Sequence, residues 1–201
     1  MKKSPRIANH LMINASFLSD LGLYHGKMGI VLFFAHYSLY TGNAIYDDFA
    51  GELMDEITEE IHAGVPVHFE SGLSGIGWGI EYLIKNGFMN GNPDNILSDI
   101  DRKITEKNLS RMTDSSVRTG LKGISCYIEK HIAAPKKSKS FDGAFLKDYV
   151  YAKQKFKITV PDEGEILSAI YKKTPKGDDI TLWQLGLENG NAGYGLKIIL
   201  R

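Results

Sequence analysis

The dipeptide Gly-Leu recurs four times along this chain of 201 residues, each time ahead of an apolar segment. The four glycines are Gly22, Gly72, Gly120 and Gly186, at successive separations of 50, 48 and 66 residues. A period near fifty suits one helical hairpin with its connections, and the longer last interval indicates an insertion. Glycine before a helix permits a positive φ and a close approach of neighbouring backbone. The recurrence therefore predicts repeated helical hairpins. Forming the turns and allowing close packing would by themselves explain the glycines.

Two kinds of helical segment alternate between these turns. Segments 30–35, 76–84, 124–132 and 192–200 are apolar nearly all round, which is typical of helices inside a protein. The segments between them are amphipathic: in 45–61, large apolar residues recur every four positions, from Ile45 to Ile61. Acidic side chains fill the rest of that segment and are interpreted as solvated surface. The chain is therefore predicted to be all-α, an α/α toroid or open arc of about four hairpins in a single domain over residues 1–201.

Local signals agree with this assignment. Gly42 and Asn86-Gly87 predict the ends of the first two apolar helices, and Asn92-Pro93 predicts the start of another. The basic run 134–140 predicts an exposed loop, and 156–160 is the one β-prone stretch. No strand-like segment precedes a glycine turn, so a dinucleotide site is not expected.

Composition narrows the classes of function. Lys plus Arg and Asp plus Glu both number 24, so the formal net charge is zero and no long-range field favours nucleic acid. The longest apolar stretch, 29–35, is too short to span a bilayer, and the first residues lack an apolar run of signal-peptide length. We therefore expect a cytoplasmic protein without a membrane or nucleic-acid partner. Cys126 is the only cysteine, is expected to be buried, and excludes an internal disulfide.

Glycine turns that open into inner helices also form a family signature. The units GLYHGKMGI from Gly22, GLSGIGWGIEYL from Gly72 and GLENGNAGYGL from Gly186 resemble the repeats of the lanthionine synthetase C-like cyclases. The resemblance covers nearly the whole chain and implies an α/α barrel. Members of that family close thioether rings in modified peptides. They use a zinc ion, held by two cysteines and a histidine, that activates the attacking thiol.

The zinc ligands implied by this resemblance have no full counterpart here. The family's Cys-His pair matches Tyr24-His25, which keeps the histidine but has tyrosine at the cysteine position. Cys126 follows its glycine turn and is expected to face the helix interior. No cofactor is therefore expected, zinc included, and no catalytic residue is assigned. Two alternatives stay open: a metal site made of His25, His68 and Glu70, and an acid–base pair of His25 with Glu70.

A functional site is expected where the glycine turns converge, since helix N-termini there favour an anionic or carbonyl-rich ligand. Trp78 and Tyr194 are candidates for stacking on a sugar or peptide ring, with a core position as the alternative for each. The residues predicted to bind a ligand are Tyr24, His25, His68, Glu70, Trp78, Asn189, Asn191 and Tyr194.

Three functions are compatible with these observations. The first is a non-catalytic peptide-binding or accessory protein in peptide modification. The second is an enzyme with an altered site at the mouth of the toroid, acting on a peptide or a carbohydrate. The third is a structural subunit that completes a partner's helical ring. Because about four hairpins are fewer than the six or seven that close the family's toroids, the first and last inner helices are expected to expose apolar flanks. Such flanks predict a homodimer or a protein partner.

Overall fold

The computed structural model describes residues 3–61, 64–133 and 140–200. These residues form α1 (Lys3–Asn14), α2 (Lys27–Thr41), α3 (Ile45–Glu60), α4 (Leu73–Lys85), α5 (Pro93–Ile96), α6 (Ser98–Thr105), α7 (Leu121–Ile132), α8 (Gly143–Lys155), α9 (Glu163–Ile170) and α10 (Asn191–Ile199). Short 3₁₀ helices lie at Ala15–Phe17, Leu109–Arg111 and Ile180–Leu182. No strand forms within the described ranges, so the predicted all-α class is confirmed.

Two sequence expectations concern segments outside the helices. The β-prone stretch 156–160 forms no strand, because α8 runs to Lys155 and Lys157 then adopts the left-handed region at φ 52°. The predicted loop 134–140 falls, except for Ser140, outside the described residues. None of the described helices is both long and apolar enough to cross a membrane.

Contacts along the chain group its residues into two compact units. Unit 1 comprises Met1–Gly64 and Asp162–Arg201, and unit 2 comprises Val65–Pro161. Unit 1 therefore holds α1, α2, α3, α9 and α10, and unit 2 holds α4 to α8. The expectation of a single domain over residues 1–201 stays a prediction.

The four apolar helices α2, α4, α7 and α10 begin with the same backbone turn. The first helical N–H donates to the carbonyl oxygen seven residues upstream, over 2.7–2.9 Å. The residue before it, the N-cap, is glycine each time, and a Cβ there would overlap the carbonyl oxygen six residues upstream. All four N-caps have negative φ, so the turn needs glycine for close approach rather than for a left-handed backbone. These N-caps are Gly26, Gly72, Gly120 and Gly190.

The shared turn shows where the glycine of each Gly-Leu lies relative to the helix start. In the second and third units, the glycine of Gly-Leu is itself the N-cap. In the first and fourth units, Gly22 and Gly186 open the turn and lie four residues before the caps Gly26 and Gly190. The turn requires a missing Cβ beside a carbonyl oxygen. The leucine that follows the glycine is not part of that requirement.

In unit 1, α2 packs against both α3 and α10, and α10 also contacts α1. Gly195 of α10 lies so close to the ring of Phe33 on α2 that a Cβ would overlap it. The first and last of the four apolar helices therefore cover each other's flanks, contrary to the expectation that an open arc leaves both flanks exposed. The homodimer stays a prediction, but it loses this argument.

The α2–α3 hairpin is closed as the sequence predicts. Gly42 ends α2 in the left-handed region at φ 67°, and the side chain of Asn43 accepts a hydrogen bond from the N–H of Ile45 over 3.1 Å. Leu53 and Ile57 of α3 are buried, as the four-residue spacing predicts. Ile45 is exposed, because the first turn of α3 meets α2 through Tyr46, whose ring packs on Phe34 and Tyr37.

In unit 2, α4 packs against α7 and contacts α5 and α6. Gly77 of α4 lies against the ring of Tyr127 on α7, the same glycine-on-ring contact that joins α10 to α2. Asn92 caps α5 by accepting from the N–H of Asp94, which confirms the start predicted at Asn92-Pro93. The predicted single helix is divided at Leu97, whose side chain is buried.

Candidate functional site

The first and fourth glycine turns lie against each other in unit 1. The N–H of Glu188 donates to the carbonyl oxygen of Tyr24 over 2.9 Å. A Cβ at Gly186 would overlap the backbone of Tyr24 and His25, so only glycine allows this approach. Each turn is fixed by its hydrogen bonds to the start of α2 or α10. The side chains on both turns are therefore carried by rigid backbone.

This contact places His25 beside Glu188. Nε2 of His25 lies 3.4 Å from Oε2 of Glu188, and the two side chains are 36% and 12% exposed. The other ring nitrogen, Nδ1, is buried and has no hydrogen-bond partner in the described part of the chain. Because Nδ1 is buried, Nε2 beside Glu188 is the ring nitrogen left to form a hydrogen bond with a ligand. Sequence reasoning missed Glu188, although it lies in the fourth glycine unit next to Asn189.

Three predicted ligand-binding residues follow Glu188 in the chain. Asn189 is half-buried and has a positive φ of 53°, which asparagine tolerates better than most residues. Asn191 is buried, and its Nδ2 donates to the carbonyl oxygens of Ile180 and Gln184 over 3.0 and 3.3 Å. Asn191 therefore holds the turn from inside, whereas Asn189 stays partly accessible to a ligand.

Tyr194 is half-buried, and its ring meets the ring of Trp183 edge to face, with centroids 5.2 Å apart. Trp183, which the sequence analysis did not single out, is buried and donates from Nε1 to the carbonyl oxygen of Lys176 over 3.1 Å. Tyr194 thus rests on a fixed aromatic neighbour and keeps part of its surface open.

The remaining predicted residues lie in unit 2. Glu70 accepts a hydrogen bond from Nη1 of Arg118 over 2.7 Å. The N–H groups of Phe69 and Glu70 both donate to the carbonyl oxygen of Arg118, over 2.8 and 3.0 Å, which ties the second glycine turn to the third. His68 is half-buried close to Asp114, whose pKa is lowered by hydrogen bonds from Thr119 and Ser116 and, to a smaller extent, by His68.

Trp78 is a core residue. Its ring is 1% exposed, meets Phe69 edge to face, stacks on Tyr82 and lies under the ammonium group of Lys130, 5.2 Å from the ring centroid. With neighbours on its edge and on its faces, the indole has no open face for a ligand. The structure therefore favours the core alternative over the stacking role predicted for Trp78.

Neither combination left open by the sequence is assembled within a unit. His25 pairs with Glu188 in unit 1, and Glu70 pairs with Arg118 in unit 2. Among the described residues, no group of three or more His, Cys, Asp or Glu side chains is arranged to hold a metal ion.

The zinc set implied by the family resemblance does not fit the residues of this chain. A Cys, Cys, His set needs two thiols, and the sequence holds one cysteine. Cys126 is buried in α7, as predicted, and burial raises the pKa of its thiol to about 12. A thiol with that pKa is a poor source of the thiolate that binds metal.

A buried polar cluster in unit 2 was not predicted. Nδ1 of His131 lies 2.5 Å from Oε1 of Glu81, and Nε2 lies 3.2 Å from Oδ2 of Asp101. The Tyr127 hydroxyl donates to the other oxygen of Asp101 over 2.5 Å. Burial lowers the pKa of His131, but Asp101 and Glu81 outweigh it and raise the pKa to about 9. His131 is therefore a cation at neutral pH that joins α7 to α4 and α6.

A sequence signal for this cluster existed. Glu81 is the one charged residue of the apolar segment 76–84, and His131 lies in the largely apolar segment 124–132 together with Glu129 and Lys130. A polar side chain in an inner helix needs a buried partner, so the two could have been expected to meet.

Comparison with known proteins assigns the family. The family model described as "Lanthionine synthetase C-like protein" matches residues 18–129, more than half of the chain and three of its four glycine turns. No curated protein and no solved structure gives a significant match. The shared helical turns and the match over residues 18–129 lead to one assignment: this chain belongs to the lanthionine synthetase C-like family.

Proposed function

We propose that this protein is a non-catalytic, peptide-binding accessory protein in peptide modification. The observation that supports it most is the donor set of the paired glycine turns in unit 1. There, His25, Glu188 and the half-buried Asn189 and Tyr194 offer hydrogen-bonding groups on a rigid backbone, without a thiol. Such groups suit recognition of peptide carbonyls, amides and side chains.

The same donor set argues against thiol activation. Thiolate ligands donate the electron density that keeps a metal-bound substrate thiol nucleophilic, and nitrogen or carboxylate ligands do so less. Cys126, the one thiol of the chain, is buried among apolar residues of α7 and is held protonated by its raised pKa. In this proposal the family fold still binds a peptide, but the chain lacks the two cysteine ligands that the family's zinc chemistry requires.

Peptide recognition at this place has a physical basis. The N-terminal ends of α2 and α10 carry partial positive charge, which favours carbonyl oxygens and carboxylates. His25 at the start of α2 adds a side chain that can donate a hydrogen bond. The first N–H groups of both helices already donate to carbonyl oxygens of their own turns, so a bound peptide would be held by the positive helix ends and by the side chains. It would need no rearrangement of the turn backbone, which limits the entropy lost on binding.

The enzyme with an altered site is kept as a second candidate because of one observation. Glu188 is largely buried and lies 3.4 Å from Nε2 of His25, whose side chain is 36% exposed. A histidine beside a carboxylate is an arrangement used for general acid–base catalysis, and here Nε2 would have to exchange the proton because Nδ1 is buried. The third candidate, a structural subunit, predicts that neither residue affects ligand binding.

One experiment separates the three candidates. A labelled synthetic peptide carrying a cysteine and an electrophilic alkene side chain is titrated by fluorescence anisotropy, and its free thiols are counted by alkylation and mass spectrometry. We expect binding without thiol loss, and a binding constant weakened about tenfold by His25→Ala, as for a moderate hot spot. His10→Ala is the matched control, because His10 is half-buried in α1 of the same unit.

Each other outcome contradicts the proposal. Loss of free thiols that depends on His25 would identify an enzyme. Equal binding by wild type and His25→Ala, or no binding, would leave the structural subunit. We also propose a cytoplasmic location, where the unpaired thiol of Cys126 stays reduced, and a peptide rather than a second copy of the chain as the partner.

A further inference from the structure

The α2–α3 hairpin ends in an exposed apolar tip. Leu39, Tyr40 and Ile45 are 72%, 54% and 58% exposed and lie on either side of the turn at Gly42. The ring of Tyr40 stacks on that of the buried Tyr37, with centroids 6.2 Å apart. The exposed ring of Tyr40 is therefore supported by the buried aromatic packing of the hairpin. Large apolar side chains grouped at one surface place are typical of contact surfaces.

An acidic stripe of α3 runs from this tip. α3 contains seven carboxylates and no Lys or Arg. Two of them, Glu56 and Glu60, bind Lys27 over 2.9 and 2.7 Å. The other five are exposed, and four of them follow Ile45 at helical spacing along one face and form no ion pair with a described residue. The acidic stripe consists of Asp48, Glu52, Asp55 and Glu59.

Repulsion within the acidic stripe destabilises α3. Asp48 with Glu52, and Asp55 with Glu59, are like-charged pairs four residues apart, which destabilise a helix. Glu59 also lies in the last turn, where the helix dipole disfavours a negative charge. Asp48 lies in the first turn, where the dipole favours a carboxylate, but no ion pair with a described residue compensates the other terms. Such a pattern is expected of residues retained for contact with another molecule.

Gly51 lies beside the acidic stripe, in the interior of α3. A Cβ added there would meet nothing within 4 Å, so no packing inside the protein requires glycine. Glycine inside a helix is destabilising relative to alanine. An exposed helix surface without a Cβ does, however, let the backbone of another molecule approach closely.

We propose that the hairpin tip and the acidic stripe of α3 form a docking surface for a basic, amphipathic polypeptide segment. Apolar side chains of that segment would pack on Leu39, Tyr40 and Ile45, and its Lys or Arg side chains would face the acidic stripe. Charge complementarity selects this occupant, because a second copy of the chain would bring an equally acidic α3 to the contact. The surface lies at the opposite end of α2 from Gly26 and does not depend on the proposed function.

The test uses two labelled helical peptides of about 14 residues, a length that matches the 16 residues of α3. Both carry the same leucine pattern; one has lysine and the other glutamate at the polar positions. We expect the lysine peptide alone to bind, in fluorescence anisotropy at about 20 mM salt, and to bind more weakly at about 300 mM salt. The triple variant Asp48→Asn, Glu52→Gln and Asp55→Asn should bind about tenfold more weakly at low salt.

A matched control separates the surface from the net charge. The variant Asp99→Asn, Glu106→Gln and Asp178→Asn removes the same number of exposed carboxylates elsewhere and should bind like the wild type. Equal weakening in both triple variants would overturn the proposal, since simple attraction by total charge would explain it.

The apolar part of the surface has its own test. The double variant Tyr40→Ser and Ile45→Ser, and separately Gly51→Leu, should each weaken the lysine peptide about tenfold at both salt concentrations. Unchanged binding, or equal binding of the glutamate peptide, would overturn the proposal. So would a dimeric mass in light scattering that the double variant makes monomeric, because the tip would then belong to a second copy.

Discussion

Both units hold a buried cation between two carboxylates, but the carboxylates differ in their contact with water. In unit 1, Lys27 is 2% exposed, and its partners Glu56 and Glu60 are 34% and 49% exposed. In unit 2, His131 is 0% exposed, and its partners Glu81 and Asp101 are 5% and 3% exposed. Removing Lys27 leaves two carboxylates that water can reach, whereas removing His131 leaves two that it cannot. The cost of breaking an ion pair depends on the burial of the partner left behind.

The two cations also differ in when they lose their charge. For Lys27, burial lowers the pKa, but Glu60 and Glu56 outweigh it and raise the pKa above its usual 10.5. For His131, burial also lowers the pKa and the carboxylates outweigh it, so that its pKa is raised to about 9. Between pH 7 and 10, unit 2 therefore loses its cation and unit 1 keeps it.

The largest expected effect concerns the fully buried ion pairs of His131 with Glu81 and Asp101. His131→Ala should lower the free energy of unfolding by about 3–5 kcal/mol, because it leaves two buried carboxylates uncompensated. Urea denaturation followed by circular dichroism measures it. The triple variant His131→Phe, Glu81→Met and Asp101→Leu is the control, since replacing the cation and both carboxylates by apolar groups of similar size should restore part of the loss. The restoration is partial because the buried Tyr127 hydroxyl loses its acceptor Asp101. A loss under about 1 kcal/mol for His131→Ala would remove the contrast between the units.

The next effect is the pH dependence of the wild type. The pKa of His131 is raised in the folded state, so its stabilisation is complete below pH 6.5 and is lost as pH rises through about 9. The raised pKa corresponds to a loss of about 3 kcal/mol. Asp101, Glu81, Asp94 and the Tyr127 hydroxyl face the imidazole, and the pKa of Tyr127 lies well above 10, so that phenol stays neutral in this range.

Urea denaturation at intervals from pH 6 to pH 10 measures this loss. The apolar triple variant should show no such fall over the same range. An equal fall in wild type and in that variant would assign the pH dependence to groups other than His131.

The smallest effect concerns the ion pairs of Lys27 with the partly exposed Glu56 and Glu60. Lys27→Met should lower the free energy of unfolding by about 1–2 kcal/mol, because Glu56 and Glu60 regain water when the ammonium group is gone. Arg118→Gln, which breaks a pair exposed on both sides, is the matched control and should cost under about 1 kcal/mol. The comparison between the units fails if Lys27→Met costs as much as His131→Ala in the same urea titration.

Much of the helical framework could be predicted because its signals are local. Gly42 at a left-handed helix end and Asn92 with its capping side chain act within a few residues of their own helix, so the pattern alone locates them. The candidate site could be predicted only in part. His25 was found through its glycine turn, but its partner Glu188 is more than 160 residues away and is recognisable only when the two turns meet.

The sequence by itself determined the all-α class, the alternation of apolar and amphipathic helices, and the repeat of glycine turns, since periodicity and capping depend on neighbours along the chain. Tertiary structure decided the rest. It brought the first and fourth glycine turns together so that His25 meets Glu188, placed Trp78 in the core, and brought His131 between Glu81 and Asp101. Each of these depends on atoms far apart in the chain, where burial and distance, rather than residue type, fix the role of a side chain.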